Sequence, residues 1–385
     1  MNLRDFPWQG VTSSKKGECE LTKIFLIRHA EADGNIYRRA HGHFDGKITF
    51  TGHAQIECLR ERFVGEHIDV VYSSDLTRAC TTAAAISLPR SLEINKTEML
   101  REVNVGGWED KAWGDIEHDD PVMCANFGKD PAMWSVEGSE DYADVQKRMK
   151  ACIDAIGERH DGETAAVFSH GFAIRALMCM LYEVASHETH KIPYCDNTAV
   201  ALLFWDKGKI TVEYRSDNSH LRNEISTFAK QTWWRADKEL IRENLRYADF
   251  EPERDRGFLD KHCGDVNLFH NTDMKCMVFL ADEPIGFMGL DASGSDAVSI
   301  ECIFVRRGEM FASFFVQFIG QAAYVARKLG KKALLISEAA VNQAANQGEN
   351  QGENQGENQA VVLLSQHGFI EFKDCRHKHP LVREV

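Results

Sequence analysis

Apolar positions along the chain fall into short runs alternating with longer amphipathic stretches. Ile24-Phe25-Leu26-Ile27 and Ala165-Ala166-Val167-Phe168 are continuous runs, and Asp69-Val70-Val71-Tyr72 opens a third. Runs of this length predict strands buried on both faces, as in a sheet covered by helices. Helical spacing fills the intervals at 52–63 and 142–156, and again after Ser169-His170-Gly171 through Leu181. Ser73-Ser74-Asp75 reads as the N-cap of another helix. The alternation predicts an α/β sheet with helices on both faces. Residues 198–205 and 209–214 flank Asp206-Lys207-Gly208 and predict a hairpin at the sheet edge.

The pattern turns polar at 216–226, which marks a boundary. Beyond it, a stretch rich in Trp and charge (228–247) reads as a helix. Strand-like runs follow at 276–280, 285–290, 298–305 and 333–337, with a long helix pattern at 312–329 closed by Gly330. The domain plan is therefore a polar arm (1–20), a first α/β domain (21–221) and a second α/β or α+β domain (222–385). Gln347-Gly348-Glu349-Asn350 occurs three times in tandem through Asn358. Its composition builds no core, so 346–359 is expected to be a solvated loop.

Composition narrows the function classes. Among 385 residues, 59 are acidic and 45 basic, a net charge of −14. That balance argues against nucleic acid or an anionic membrane as partner. No apolar run is long enough to span a bilayer. The first 20 residues lack an apolar signal core, and the 11 cysteines stand at unrelated spacings with no C-x-x-C pair. A cytoplasmic protein with reduced thiols is the expectation.

The chemistry concentrates in four words: Arg28-His29-Ala30-Glu31, Arg78 after Ser73-Ser74-Asp75, Glu102 in Leu100-Arg101-Glu102, and His170 in Ser169-His170-Gly171. Both histidines directly follow predicted strands, and in α/β sheets the ligand crevice lies beyond the strands' carboxyl ends. Arg28, His29 and His170 are thus expected at one crevice, with Arg78 at the start of a nearby helix. Four cationic or potentially cationic groups so placed repel one another unless an anion sits among them. A phosphoryl group matches guanidinium forks best. The pairs His41/His43 and His377/His379 lack a third ligand at metal spacing, so they read as solvated or substrate-adjacent and no metal is assigned. His53, His67, His118 and His160 read as packing or surface residues.

With these words in hand, residues 21–221 resemble the histidine phosphatase, or phosphoglycerate-mutase-like, superfamily. The resemblance includes R-H-[GA]-E and Asn35, where the family often has a phosphate-binding Asn. It continues through Asp45, Ile48-Thr49-Phe50-Thr51-Gly52-His53-Ala54-Gln55, Leu100 to Asp110, Val167 to Gly171, Asp196-Asn197-Thr198 and Asn218-Ser219-His220-Leu221. It implies a three-layer fold and a phosphohistidine on His29. Arg28, Arg78 and His170 would stabilise the transferring phosphoryl group, and Glu102 would be acid and base. The acid role asks for a raised pKa, from burial or a second carboxylate. Asn35, Glu31 and Asn197 are the substrate-binding candidates, with Glu31 and Glu109 shaping the pocket. The implied substrate is a small phosphorylated metabolite, turned over without metal or cofactor. A phosphoglycerate-mutase-type transfer is the alternative, and the compact domain with Gly106-Gly107-Trp108-Glu109 favours hydrolysis. Asp110 stands where the family usually has Gly, a change expected at the pocket rim.

Residues 300–330 resemble the cofactor-binding half of a GNAT acyltransferase, a strand followed by [QR]-x-x-G-x-[GA] opening a helix. Here the loop is Arg307-Gly308-Glu309-Met310-Phe311-Ala312, with Arg307, Gly308 and Ala312 as cofactor-binding candidates and Met310 replacing the central Gly. With 345–359 excised, the segment from Val341 to Phe369 resembles N-x-x-A-x-x-L-Y-x-x-x-G-F, with Leu364 at the Tyr position. The resemblance implies acetyl-CoA as a possible ligand and a weakened N-acetyltransferase. A regulatory acyl-CoA-binding protein is the rival reading, and Glu301 is a strand carboxylate of either catalytic or structural use.

Overall fold

The computed structural model describes residues 21–231, 244–263, 269–306, 310–341, 343, 364, 370–371 and 381–384. The polar arm, Arg307, Gly308, the tandem-repeat loop and the 377/379 histidine pair lie outside the described residues.

The first domain is built on β1 (Thr22–Arg28), β2 (Val70–Ser74), β3 (Ile94–Thr97), β4 (Thr164–Ser169), β5 (Val200–Asp206) and β6 (Lys209–Asp217). They form one sheet in the order β3-β2-β4-β1-β5-β6. β1 is parallel to β4 and antiparallel to β5, and β6 closes the edge as the outer arm of the expected hairpin. Its helices are α1 (Asp33–Tyr37), α2 (Phe50–Arg62), α3 (Thr77–Arg90), α4 (Trp113–Asp119), α5 (Pro121–Lys129), α6 (Tyr142–Arg159), α7 (Gly171–Leu181) and α8 (Thr227–Lys230). The apolar run in β1 is continuous because alternate residues enter two cores. Ile24 and Leu26 pack with Val145, Met149 and Leu177 of α6 and α7. Phe25 and Ile27 pack with Leu59, Ala83 and Ile86 of α2 and α3. This is the three-layer arrangement expected from the sequence.

One expected cap differs. The N-cap of α3 is Leu76, which makes no side-chain cap. The carboxylate of Asp45, from a distant loop, takes Thr77 N–H at 2.7 Å and its hydroxyl at 2.6 Å instead. A carboxylate at a helix N-terminus is favoured whichever segment supplies it.

The second domain holds β7 (Leu245–Asp249), α9 (Pro252–His262), β8 (Met274–Leu280), β9 (Glu283–Asp291), β10 (Ala297–Val305), α10 (Phe311–Lys328), β11 (Ala333–Ile336), β12 (Ile370–Glu371) and β13 (Leu381–Glu384). Its sheet runs β12-β13-β11-β10-β9-β8-β7, with β10 and β11 parallel and the other pairs antiparallel. It is a second α/β unit. The end of the stretch read as a helix, 228–247, is corrected here: Leu245 and Tyr247 lie in β7, paired with Leu280 and Val278 of β8. Backbone pairing along β8 outweighs the local helical pattern.

Helix α10 is apolar on most of its circumference because it is covered twice. Phe315, Phe318 and Ile319 enter the core of its own sheet. Gly320 lies against Tyr37 of α1 so closely that a Cβ would overlap the ring. A second close approach sets Gly114 of α4 against the backbone of Leu245. Next to it, Asp115 accepts Tyr247 N–H at 2.7 Å, and burial pushes its carboxyl up to about 6.

Candidate active site

β1 and β4 pair in register, Arg28 opposite Ser169, so His29 and His170 emerge side by side at the carboxyl edge of the sheet. Their ring centroids are 5.0 Å apart. Both are buried, at 5% and 0% exposure. Nδ1 of His29 lies 2.7 Å from the Ala30 carbonyl. A carbonyl only accepts, so Nδ1 carries the proton and the Nε2 lone pair is left free. Arg78 Nε donates to Nδ1 of His170 at 3.2 Å, which puts the proton of that imidazole on Nε2.

Electrostatics decides which of the four cationic or potentially cationic groups carry charge. Burial first, then the charges of Arg78 and Arg28, hold His29 well below the ordinary histidine value. Burial and Arg78 do the same to His170. Both imidazoles are neutral at pH 7, and the fixed charge is that of the two guanidiniums. Three atoms of this cluster have hydrogen-bonding capacity that the described residues leave unused. Arg28 Nε and His170 Nε2 are buried with no hydrogen-bond partner among the described residues, and His29 Nε2 carries the free lone pair. Two orphan donors beside that lone pair are costly unless an anion satisfies them.

Helix α7 starts at this point. His170 is its N-cap, and Arg28 Nε sits against Gly171, where a Cβ would come within 3.2 Å. Arg28 is anchored by Nη1, which donates to the Cys195 carbonyl at 2.6 Å. Glu102 belongs to the same corner. Its half-buried carboxylate accepts from the N–H groups of Val103 (3.0 Å), Phe172 (3.0 Å) and Ala173 (2.8 Å). The groups that meet its carboxylate are thus backbone donors, two of them at a helix N-terminus. Arg148 pins the turn that carries Glu102, donating to the carbonyls of Met99, Arg101 and Glu102.

The supporting residues have separable parts. Asn197 Nδ2 donates to His29 O at 3.0 Å and to Asn35 Oδ1 at 3.4 Å. Asn35 Oδ1 also accepts Ala32 N–H. Glu31 is deeper than a ligand position. Its two oxygens accept from Thr49 Oγ1 at 2.7 Å and Thr227 Oγ1 at 2.9 Å, and burial raises its carboxyl. Gln55 ties this layer together, accepting Glu31 N–H and donating to Ile225 O and Thr227 Oγ1. Glu109 holds the 41–44 loop by accepting the N–H groups of His43 and Phe44, both at 2.8 Å. His41 is not solvated: its side chain is 6% exposed and lies 3.1 Å from Asp110 Oδ1. His43 Nε2 bonds the Glu102 carbonyl at 3.0 Å.

Asp110 is the residue whose importance the sequence understated. Its φ is +58°, a conformation in which glycine is at ease and aspartate is tolerated. Its carboxylate meets Arg39, His41 and Arg327. Burial would raise this carboxyl, but the His41 hydrogen bond and the two arginines outweigh burial and hold it at about 2. Arg39 and Arg327 carried no signal in the first-domain words. The readable signal lay in α10, where Gln317 and Gln321 interrupt an apolar helix and are both buried.

Residues 24–218 match the histidine phosphatase superfamily, branch 1. Phosphoserine phosphatase 1 of Hydrogenobacter thermophilus is 27% identical over 201 residues, 52% of this chain and 95% of that protein. Phosphoglycerate mutase-like protein 4 of Arabidopsis thaliana is 30% identical over 208 residues, 53% of this chain and 89% of that protein. Among solved structures, YhfR of Bacillus stearothermophilus superposes with a TM-score of 0.50 at 30% identity, covering 52% of this chain and 98% of its own. The chain belongs to the histidine phosphatase superfamily, and its first domain is a phosphatase-type enzyme of that class. No helix among the described residues is long and apolar enough to cross a membrane.

Proposed function

We propose that the first domain hydrolyses a small phosphomonoester through a phosphohistidine on His29. The observation that carries this reading is the free Nε2 lone pair of a neutral His29 beside two orphaned donors, Arg28 Nε and His170 Nε2. His29 Nε2 attacks phosphorus in line, the bond to the leaving oxygen breaks, and Glu102 supplies the proton that oxygen needs. Glu102 then takes a proton from the water that displaces His29. Arg28, Arg78 and the His170 Nε2–H hold the equatorial oxygens. The Asn35 side-chain oxygen is engaged, so a phosphate contact falls to its NH2 group. Glu31 and Asn197 serve by holding the loop that carries His29.

The charge stabilisation comes from guanidiniums, so no metal is required. Hydrolysis of a panel of phosphorylated metabolites in EDTA is expected to match hydrolysis without it. Loss on chelation with recovery on adding metal would overturn this. Phosphoryl transfer to a second phosphorylated acceptor, in preference to water, would favour the mutase reading. A cytoplasmic location belongs to the same proposal. The nine described cysteines are all free thiols, which suits a reducing compartment.

For the second domain we read a GNAT-like unit with little affinity for acetyl-CoA. The strand β10, the helix α10 with Ala312 in its first turn and the parallel β11 support the likeness. The described residues fit the ligand poorly. Met310 is the N-cap of α10 and packs on the apolar core, and Leu364 is fully buried, an apolar side chain with no proton to give. Calorimetric titration of the full chain with acetyl-CoA should show weak binding or none. A micromolar dissociation constant would show that these two departures matter less than argued.

A further inference from the structure

The second domain reaches the arginine that faces the phosphate site. At the last turn of α10, Arg327 grips the Asp110 carboxylate, with Nη2 at 2.9 Å from Oδ2 and 3.2 Å from Oδ1, and Nε at 3.2 Å from Oδ2. Its guanidinium also lies over the Phe44 ring, 5.0 Å from the centroid. Asp110 carries His41, whose ring packs 4.6 Å from that of Phe44. The 41–44 loop is in turn the mould of Arg78. Arg78 Nη1 donates to Phe44 O at 2.7 Å, and Nη2 donates to Gly42 O at 2.7 Å and His41 O at 3.4 Å. Arg39 closes the arrangement, bonding Asp110 on one side and Gln321 of α10 at 2.9 Å on the other.

We propose that Arg327 is a positioning residue of the phosphatase site: through Asp110 and Phe44 it fixes the 41–44 loop, and through that loop the direction of Arg78. The inference rests on the phosphatase reading above. It gives Asp110 a purpose that a rim position does not. A left-handed conformation is held by a non-glycine residue because its carboxylate receives a cation from the other domain. A guanidinium whose donors are shared among fixed carbonyls keeps its aim only while those carbonyls keep their place, and small misplacements of such groups are costly to turnover.

The test uses the full chain with a phosphomonoester substrate and inorganic phosphate as a competitive probe. Arg327→Ala is expected to weaken phosphate inhibition and raise KM by about tenfold each, with kcat falling as well. Arg327→Lys, which keeps the charge and loses the fork, should fall between it and wild type. In the cycle with Asp110→Asn, the double variant should be no worse than the poorer single, because both break one linkage. Arg327 is a quarter exposed, and the lysine variant guards against a folding defect in the alanine one. Wild-type KM and phosphate inhibition in Arg327→Ala, or losses that simply add in the double variant, overturn the proposal. A parallel His29→Ala arm separates the two levels. If it still hydrolyses substrate, the phosphatase reading fails and takes this inference with it. If it is dead while Arg327→Ala matches wild type, only the inference fails.

Discussion

His29→Ala is expected to keep its fold and lose hydrolysis by about four decades or more, as removal of a covalent nucleophile does. Acid-labile, alkali-stable phosphate should be trapped on wild type during turnover and be absent from the variant. His53→Ala, an exposed position on α2, is the matched control and should behave as wild type. The pH profile adds a second check. The nucleophile must be unprotonated, and burial with the neighbouring arginines moves its proton affinity down. Its acid limb therefore falls below the ordinary histidine midpoint, and kcat/KM should not halve as pH drops from about 7.5 to about 6.5. Retained turnover in His29→Ala would remove the phosphohistidine from the mechanism.

The second large effect is expected at Glu102, and its size should depend on the leaving group. Glu102→Gln keeps one oxygen for the Ala173 and Val103 N–H groups and gives up the Phe172 N–H bond made by the other oxygen, while proton transfer is lost. For an alkyl phosphate, whose alkoxide leaves poorly, kcat should fall by about 10²–10³-fold. For an aryl phosphate with a stable phenolate the loss should be several times smaller. Equal losses on both substrates would mean that Glu102 serves to hold the first N–H groups of α7 and not as the acid.

Much of this site is legible in the sequence because its chemistry is local to strand ends. A buried strand followed at once by Arg-His, or by Ser-His-Gly, places those side chains at the sheet's carboxyl edge wherever the sheet sits. What was not legible depends on partners far away in the chain. Ser73-Ser74-Asp75 looks like a cap, yet Asp45 does the capping. Asp110 looks like a rim substitution until Arg327 arrives from α10. Leu245 and Tyr247 follow a stretch of helical pattern and are drawn into β7 by β8. Protonation is illegible for a related reason: charges counted along the chain do not include desolvation, which favours neutral imidazoles at His29 and His170 once the sheet has formed.

The order of strands in the first sheet bears on how the enzyme is made. β1, made before either of its partners, ends up with Lys23 paired to Thr164 on one side and Thr22 to Trp205 on the other. Neither neighbour exists when β1 emerges, and pairings of such separation form late. Asn197, which secures the backbone of His29, is made between these two neighbours, just ahead of β5. A nascent chain carries the proposed nucleophile His29 well before the cradle that would make it reactive. The chemistry is switched on by completion of the fold, after β5 has been laid beside β1.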